Sequence, residues 1–296
     1  MAQTRNRWIT QVILAFGLLI FVGSSLLPVI DGFSRSSPSQ STDNSNSALS
    51  SSEQKSKLED QVRGYELVLQ REPENQTALK GLLEARLKLL SQKGKGEVKP
   101  ADIQPVIEPL EKLAKLDPQN SQYGVLLAQA KQQIGDREGA AQAYRSILAV
   151  KPGDLNALQG MVQLQLSEKR PEAAIGLLKD TLAAAEQANK IQPDSVNVVA
   201  VQVLLGNVYA SQKDYVQAQT VYDQAIKKDN KDFRPVLAKA MVLKEQGKTD
   251  AAKLLFDDAA TLAPAEYKDQ INKLATQPLP TPTASPTPSA TPTPSP

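Results

Sequence analysis

Across 296 residues there is neither a histidine nor a cysteine. That removes imidazole bases, thiolate nucleophiles, disulfides and the usual nitrogen and sulfur metal ligands in one step. Carboxylates remain, and a pair of Asp or Glu converging in a pocket, one with a raised pKa, would support a hydrolase acting at a membrane. Adjacent acids such as Asp257-Asp258 fall in a helical pattern and read as solvated surface; with no third ligand type nearby they do not suggest a metal site. The stretch SQKGKGEVKP lacks the G-x-x-x-x-G-K-[ST] order that cradles phosphate after a strand, and reads as a basic loop. No cofactor is called for and the chain does not read as an enzyme. Amides are the other abundant polar group, clustered at Gln129, Gln132 and Gln133. Each amide both donates and accepts, which suits a peptide backbone or a helix surface. Glutamine is also simply a good, soluble helix former.

Charge narrows the partners. With 34 basic and 32 acidic residues the formal net charge is +2, so nothing points to nucleic acid.

The elements that must carry these side chains repeat. Asp117-Pro118 and Lys151-Pro152 are 34 residues apart, as are Asn230 and Pro264, Ala140 and Ala174, and Ala218 and Ala252. Two helical patterns fit each interval, and no strand is expected. Leu205-Gly206-x-x-Tyr209 with Ala218-x-x-x-Tyr222, Ala140-x-x-x-Tyr144 ending in Pro152, and Ala252-x-x-x-Phe256 ending in Pro264 resemble the tetratricopeptide (TPR) family. The expected fold is all-α: about five helical hairpins in a superhelix over residues 58–275, with units near 76–118, 121–152, 155–195, 199–230 and 233–264. Small residues (Ala128, Gly206, Ala240) let the helices approach, Tyr144, Leu178, Tyr222 and Phe256 fill the core, and Gly135 and Gly247 suit the turns. A helix over 57–71 reads as an unpaired second helix ahead of the units, and a final helix near 266–275 as a terminal cap. Two units are long: the first by an insertion at 91–103, the third by a second helix over 172–191.

The resemblance implies a concave face lined by first helices, where partners bind. In that register Lys80, Gln122, Gln129, Gln133, Asn156, Gln163, Asn207 and Arg234 face inward, with Thr77, Glu84, Gln132, Gln159 and Met241. The carboxylate clamp of the Hsp70/Hsp90-adaptor class is not there as a set. Lys80 matches one clamp lysine, but Glu84 replaces the next asparagine and Asn207 lacks its lysine, since Val203 stands there.

The ends read differently. Trp8–Ile30 has no charge and as a helix would extend about 35 Å, enough to cross a bilayer core of roughly 30 Å. It is expected to anchor the chain, with residues 1–7 cytoplasmic; Val22-Gly23-Ser24 leaves a cleaved signal as the alternative. Arg5 and Arg7 before the run, against Arg35 after it, place the repeats on the non-cytoplasmic side of a thylakoid or plasma membrane. Residues 31–57 are Ser-rich and read as a flexible tether, and 276–296, with PLPTPTASPTPSATPTPSP, as a disordered polyproline-type tail. This layout, with Lys231-Asp232-Phe233-Arg234-Pro235, resembles the thylakoid TPR proteins of cyanobacteria and their chloroplast relatives. That resemblance implies a scaffold for pigment synthesis or photosynthetic membrane assembly, with protochlorophyllide oxidoreductase or photosystem assembly components as partners. A cell-envelope assembly or secretion accessory is the alternative.

Overall fold

A computed structural model describes residues 51–93 and 97–278. The expectations for Trp8–Ile30, for residues 31–50 and for the tail from 279 lie outside the described residues. Within them the chain is all-α, with twelve helices: α1 Ser51–Arg71, α2 Gln76–Ser91, α3 Pro100–Leu116, α4 Ser121–Gln133, α5 Arg137–Val150, α6 Leu155–Ser167, α7 Pro171–Ile191, α8 Val198–Ser211, α9 Tyr215–Lys228, α10 Phe233–Glu245, α11 Thr249–Leu262 and α12 Ala265–Thr276. The chain divides into two compact units, 1–221 and 222–296, the division falling inside α9.

Two corners alternate. At the turns α4–α5, α6–α7, α8–α9 and α10–α11, from a first helix to its second, one residue takes a left-handed conformation: Gly135 (φ 87°), Lys169 (60°), Lys213 (62°) and Gly247 (76°). Behind each, the following amide closes onto a carbonyl five residues back: Asp136 N to Lys131 O at 2.9 Å, Arg170 N to Gln165 O at 2.8 Å, Asp214 N to Tyr209 O and Lys248 N to Leu243 O at 3.0 Å. This closure satisfies carbonyls that a helix end leaves open. The intervals of 34, 44 and 34 residues show the repeat in the backbone itself. At the other corner an Asn or Asp caps the next first helix, with Asn75 accepting from Ala78 N, Asp154 from Ala157 N and Asn197 from Ala200 N.

Between corners the helices interlock through rings and glycines. A Cβ on Gly81 would lie 2.3 Å from the Tyr65 ring, and one on Gly160 2.2 Å from the Tyr144 ring. Both pairs are 16 residues apart, a second-helix tyrosine seated on the first helix of the next repeat. Ile147 fills the space over Gly124 in the same way within its own hairpin. Tyr123, Tyr144, Tyr222 and Phe256 are almost fully buried, as a core stripe requires. Burial pushes the Tyr144 phenol up to about 12.

Four features bear on the sequence reading, and the first and third depart from it. First, α1 opens at Ser51, inside the segment read as tether: Leu58, Val62, Tyr65 and Leu69 give it one inward face, and Lys55–Glu59 adds an i,i+4 pair at 3.9 Å. Second, α1 has no first helix of its own among the described residues, as expected, and packs on the first helix of the next unit, α2, through Tyr65 and through Arg86–Glu66 at 2.6 Å. Third, α3 begins at Pro100, inside the 91–103 insertion, and carries Pro105 and Pro109 within it. Pro109 has no N–H to give to the carbonyl four residues back; the Arg86 guanidinium donates to that carbonyl, Pro105 O, instead. Fourth, the long second helix expected over 172–191 is present, since α7 has 21 residues against 14 in α5. The loop after it is then clasped by Asn189, which accepts from Val196 N (2.9 Å) and Ser195 Oγ (3.0 Å) and donates to Val196 O (2.9 Å).

Lys169 and Lys213 hold a backbone conformation that glycine adopts without strain. Lys213→Gly should therefore raise stability by about 0.5–1 kcal/mol, the relief of strain exceeding the entropy lost. A urea midpoint at or below that of the wild type would show that the turn is not strained.

Candidate functional site

The left-handed turn residues supply an internal ruler. Gln129, Gln163 and Asn207 each lie six residues before one of them, on α4, α6 and α8. These first helices pack side by side in order, α4 on α6 and α6 on α8, so the three amides form a row across unit 1. Gln122 and Asn156 stand seven residues earlier on α4 and α6, two turns up the same face, and Gln133 one turn beyond Gln129. Gln133, Asn156 and Gln163 are exposed, while Gln122, Gln129 and Asn207 are half-buried. The result is a neutral surface of carbonyl acceptors and NH₂ donors on neighbouring helices. Such a surface can match main-chain groups of either polarity.

Two predicted members lie on other helices. Lys80 is half-buried on α2, which packs against α1 and α3. Arg234 belongs to unit 2 and is committed to its own helix cap. Its Nε donates to both carboxylate oxygens of Asp232 (3.0 and 3.1 Å) and its Nη2 to Oδ2 (2.5 Å), while Asp232 also caps Arg234 N at 2.9 Å. The Asp232 bond first, then its charge, raises the Arg234 pKa against burial. The phrase that carries the thylakoid resemblance is thus the start of α10.

Sequence reading missed two buried amide oxygens without a partner, Gln165 Oε1 and Gln202 Oε1. By the same ruler Gln202 takes the place held by Leu158 in α6, and Gln165 the place held by Tyr209 in α8. Alignment of the repeats on their turn residues would have flagged both as polar residues at core positions.

Ionised groups near these helices are tied into local structure. Lys131 on α4 is paired with Glu111 at 2.8 Å and Asp136 at 3.4 Å, and the Glu111 bond chiefly raises its pKa. Asp136 caps α5 by accepting from Gly139 N at 2.8 Å; that bond, then Lys131, holds its pKa below the ordinary value. Lys93, with the Lys99 amide, lowers Asp102, and Lys112 lowers Glu108. Among the described residues these three carboxylates are displaced downward, opposite to what a general acid needs. Among the described residues no group of three or more acidic side chains is placed to hold a metal ion, and no helix is long and apolar enough to cross a membrane.

Comparison with known proteins places this geometry. A family model described as tetratricopeptide repeat matches residues 203–232, the α8–α9 hairpin. Among curated proteins, cellulose synthase operon protein C of Pseudomonas fluorescens (strain SBW25) is 28% identical over 144 residues. That stretch is 48% of this chain but only 11% of the relative. Similar solved structures include BtubC from P. vanneervenii (18% identity, 81% of this chain and 98% of that one, TM-score 0.48) and MamA (20%, 57% and 92%, 0.39). A thermophilic TPR protein of Thermus thermophilus is also similar (17%, 66% and 98%, 0.40). Residues 203–232 thus match the tetratricopeptide repeat, and the left-handed turns of the described residues recur with the spacing of a helical-hairpin repeat.

Asp102, Glu108 and Asp136 sit below their ordinary values of 3.8, 4.5 and 3.8 when folded. The stability they contribute is present above those values and is lost as pH falls through the folded ones. The urea midpoint of the chain should hold steady from about pH 8 to pH 5 and drop below about pH 4. Asp136→Asn keeps the cap acceptor without the charge and should flatten part of the drop. A midpoint unchanged down to about pH 3 would contradict the assignment.

Proposed function

We propose that this chain is a non-catalytic scaffold, anchored in a membrane by Trp8–Ile30, that holds a protein partner against the amide-bearing first helices of unit 1. The observation that carries the reading is the row Gln129, Gln163 and Asn207, with Gln122 and Asn156 beside it, at equivalent positions on packed neighbouring helices. A partner backbone laid across that row would meet amide donors and acceptors on α4 and α6, each bond worth about 0.5–1.5 kcal/mol. Several weak, equivalent contacts give affinity without demanding one side-chain sequence. The uncharged row also suits a partner chosen by shape and main chain rather than by net charge.

The bias of Arg5 and Arg7 over Arg35 supports repeats on the non-cytoplasmic side. Resemblance to thylakoid TPR proteins supports a partner in pigment synthesis or photosynthetic membrane assembly, protochlorophyllide oxidoreductase being the first to try. A cytoplasm-side reductase and non-cytoplasmic repeats exclude each other, so topology separates the candidates. A second reading, an accessory of cell-envelope assembly, is favoured by the likeness to cellulose synthase operon protein C and agrees with the charge bias.

Protease treatment of sealed vesicles of known orientation should leave the repeats protected from the cytoplasmic side; cleavage there would reverse the topology. In the same membranes, a photo-crosslinking residue in place of Gln159 should give one discrete adduct. Changing Gln129, Asn156 and Gln163 together to Glu should cut that adduct about five-fold or more, equivalent to about 1 kcal/mol. An adduct unchanged in a folded triple variant would remove the amide row from the binding surface.

A further inference from the structure

In unit 2, α12 lies parallel to α10 and in register with it. At their starts the Phe233 and Tyr267 rings are 5.4 Å apart. At their ends Lys244 donates to the carbonyls of Leu274, Ala275 (3.1 Å) and Gln277 (2.6 Å). Phe233 to Tyr267 is 34 residues, as is Leu237 to Ile271, so α12 is the first helix of a further repeat. Among the described residues no second helix follows to clasp it.

Its hold is therefore one-sided. Ile271 is the single side chain of α12 that is buried, and it is wholly so. Tyr267 is half-buried, while Lys268, Asp269, Asn272 and Lys273 face solvent. Pro264 at its start supplies no side-chain cap, and 12 residues are too few for a helix to persist alone. The last-turn carbonyls, which need a donor, obtain one from another helix: the Lys244 ammonium, which also lies 5.6 Å from the Phe256 ring centroid. The face beneath thus offers an aromatic contact at Phe233, a slot filled by Ile271 and a cation that reads the end of a helix.

We infer that the α10–α11 face is a receptor for an amphipathic helix of a partner protein, and that α12 is the intramolecular helix occupying it. The fitting partner has an aromatic residue at i, an aliphatic one at i+4, a polar outer side, and a C-terminal end at Lys244. These are the features α12 itself presents through Tyr267, Ile271 and its final carbonyls. The hinge at Ala263-Pro264 keeps α12 at an effective concentration on the order of millimolar, so the partner helix must bind with enough affinity to displace a tethered competitor. This surface lies in unit 2 and does not depend on the amide row of unit 1.

Ile271→Asp in the full chain should unseat α12 while leaving Phe233, Lys244 and Phe256 in place. A fluorescent peptide of residues 264–278 should then bind saturably and at least about ten-fold more tightly than to the wild-type chain. Adding Lys244→Met should lose most of that gain. No saturable binding to a folded Ile271→Asp chain, or equal binding to both chains, would overturn the inference. Hydrogen exchange of the wild type gives an independent reading should that variant fail to fold. Amides of 265–276 should exchange at least about ten-fold faster than those of α10 and α11, and exchange in step with them would mean that α12 never opens alone.

Discussion

The first three units of the helical repeat depend on one steric arrangement: a large side chain on a second helix seated where a first helix has no Cβ. Tyr65 on Gly81, Tyr144 on Gly160 and Ile147 on Gly124 leave no room for even a methyl group. Each buried ring or branched side chain contributes about 1.5–3 kcal/mol, and it does so only if the two backbones come close enough for continuous contact. A methyl group would separate the helices and forfeit part of that contact. Because the ring of one repeat sits on the glycine of the next, a hairpin cannot bury its own core alone. The neighbouring repeat is part of its interior.

Close packing requires corners that return the chain at the right place. The left-handed turn at Gly135, Lys169, Lys213 and Gly247 closes the first helix, and an Asn or Asp cap opens the next. Together they fix the rotation of each first helix, and hence which side chains share its outer face. That is how Gln129, Gln163 and Asn207 come into one row although 34 and 44 residues separate them. Alignment by the turns, not by distance along the chain, makes the row a structural feature.

Much of this was legible because close packing leaves periodic marks. Gly135 and Gly247 announced their turns, Tyr144, Tyr222 and Phe256 their core positions, and the 34-residue interval the hairpins. What was not legible involves compensation between distant residues. Two prolines four apart suggest a broken helix, yet α3 continues because Arg86, on another helix, serves the carbonyl that Pro109 leaves open. The Ser-rich segment 51–57 suggests a tether, yet it is helical as the first turns of α1, whose anchor is Tyr65, several residues on. Of the candidate binding residues, the amides kept a shared face, whereas Arg234 was chosen by register and is held by a carboxylate two residues away. Local ion pairs of that kind are invisible to a period of 34 residues.

The two terminal helices show how differently a repeat array can end. By the 79-residue offset that brings Tyr65 onto Tyr144, Gln61, Gly64 and Val68 of α1 correspond to Ala140, Ala143 and Ile147 of α5. The latter three are buried under their own first helix; the former are exposed, and a Cβ on Gly64 would touch nothing. Among the described residues nothing covers this face, and it keeps apolar side chains in the open, with Val68 41% exposed and Leu67 beside it 61% exposed. At the other end α12 covers apolar residues of α10 and α11, and what secures its last turn is not burial but a lysine bound to carbonyls. A main-chain contact of that kind does not depend on side-chain identity, so any helix ending at the same place can make it. One end is therefore left open among the described residues. The other is closed by a contact that another helix could replace.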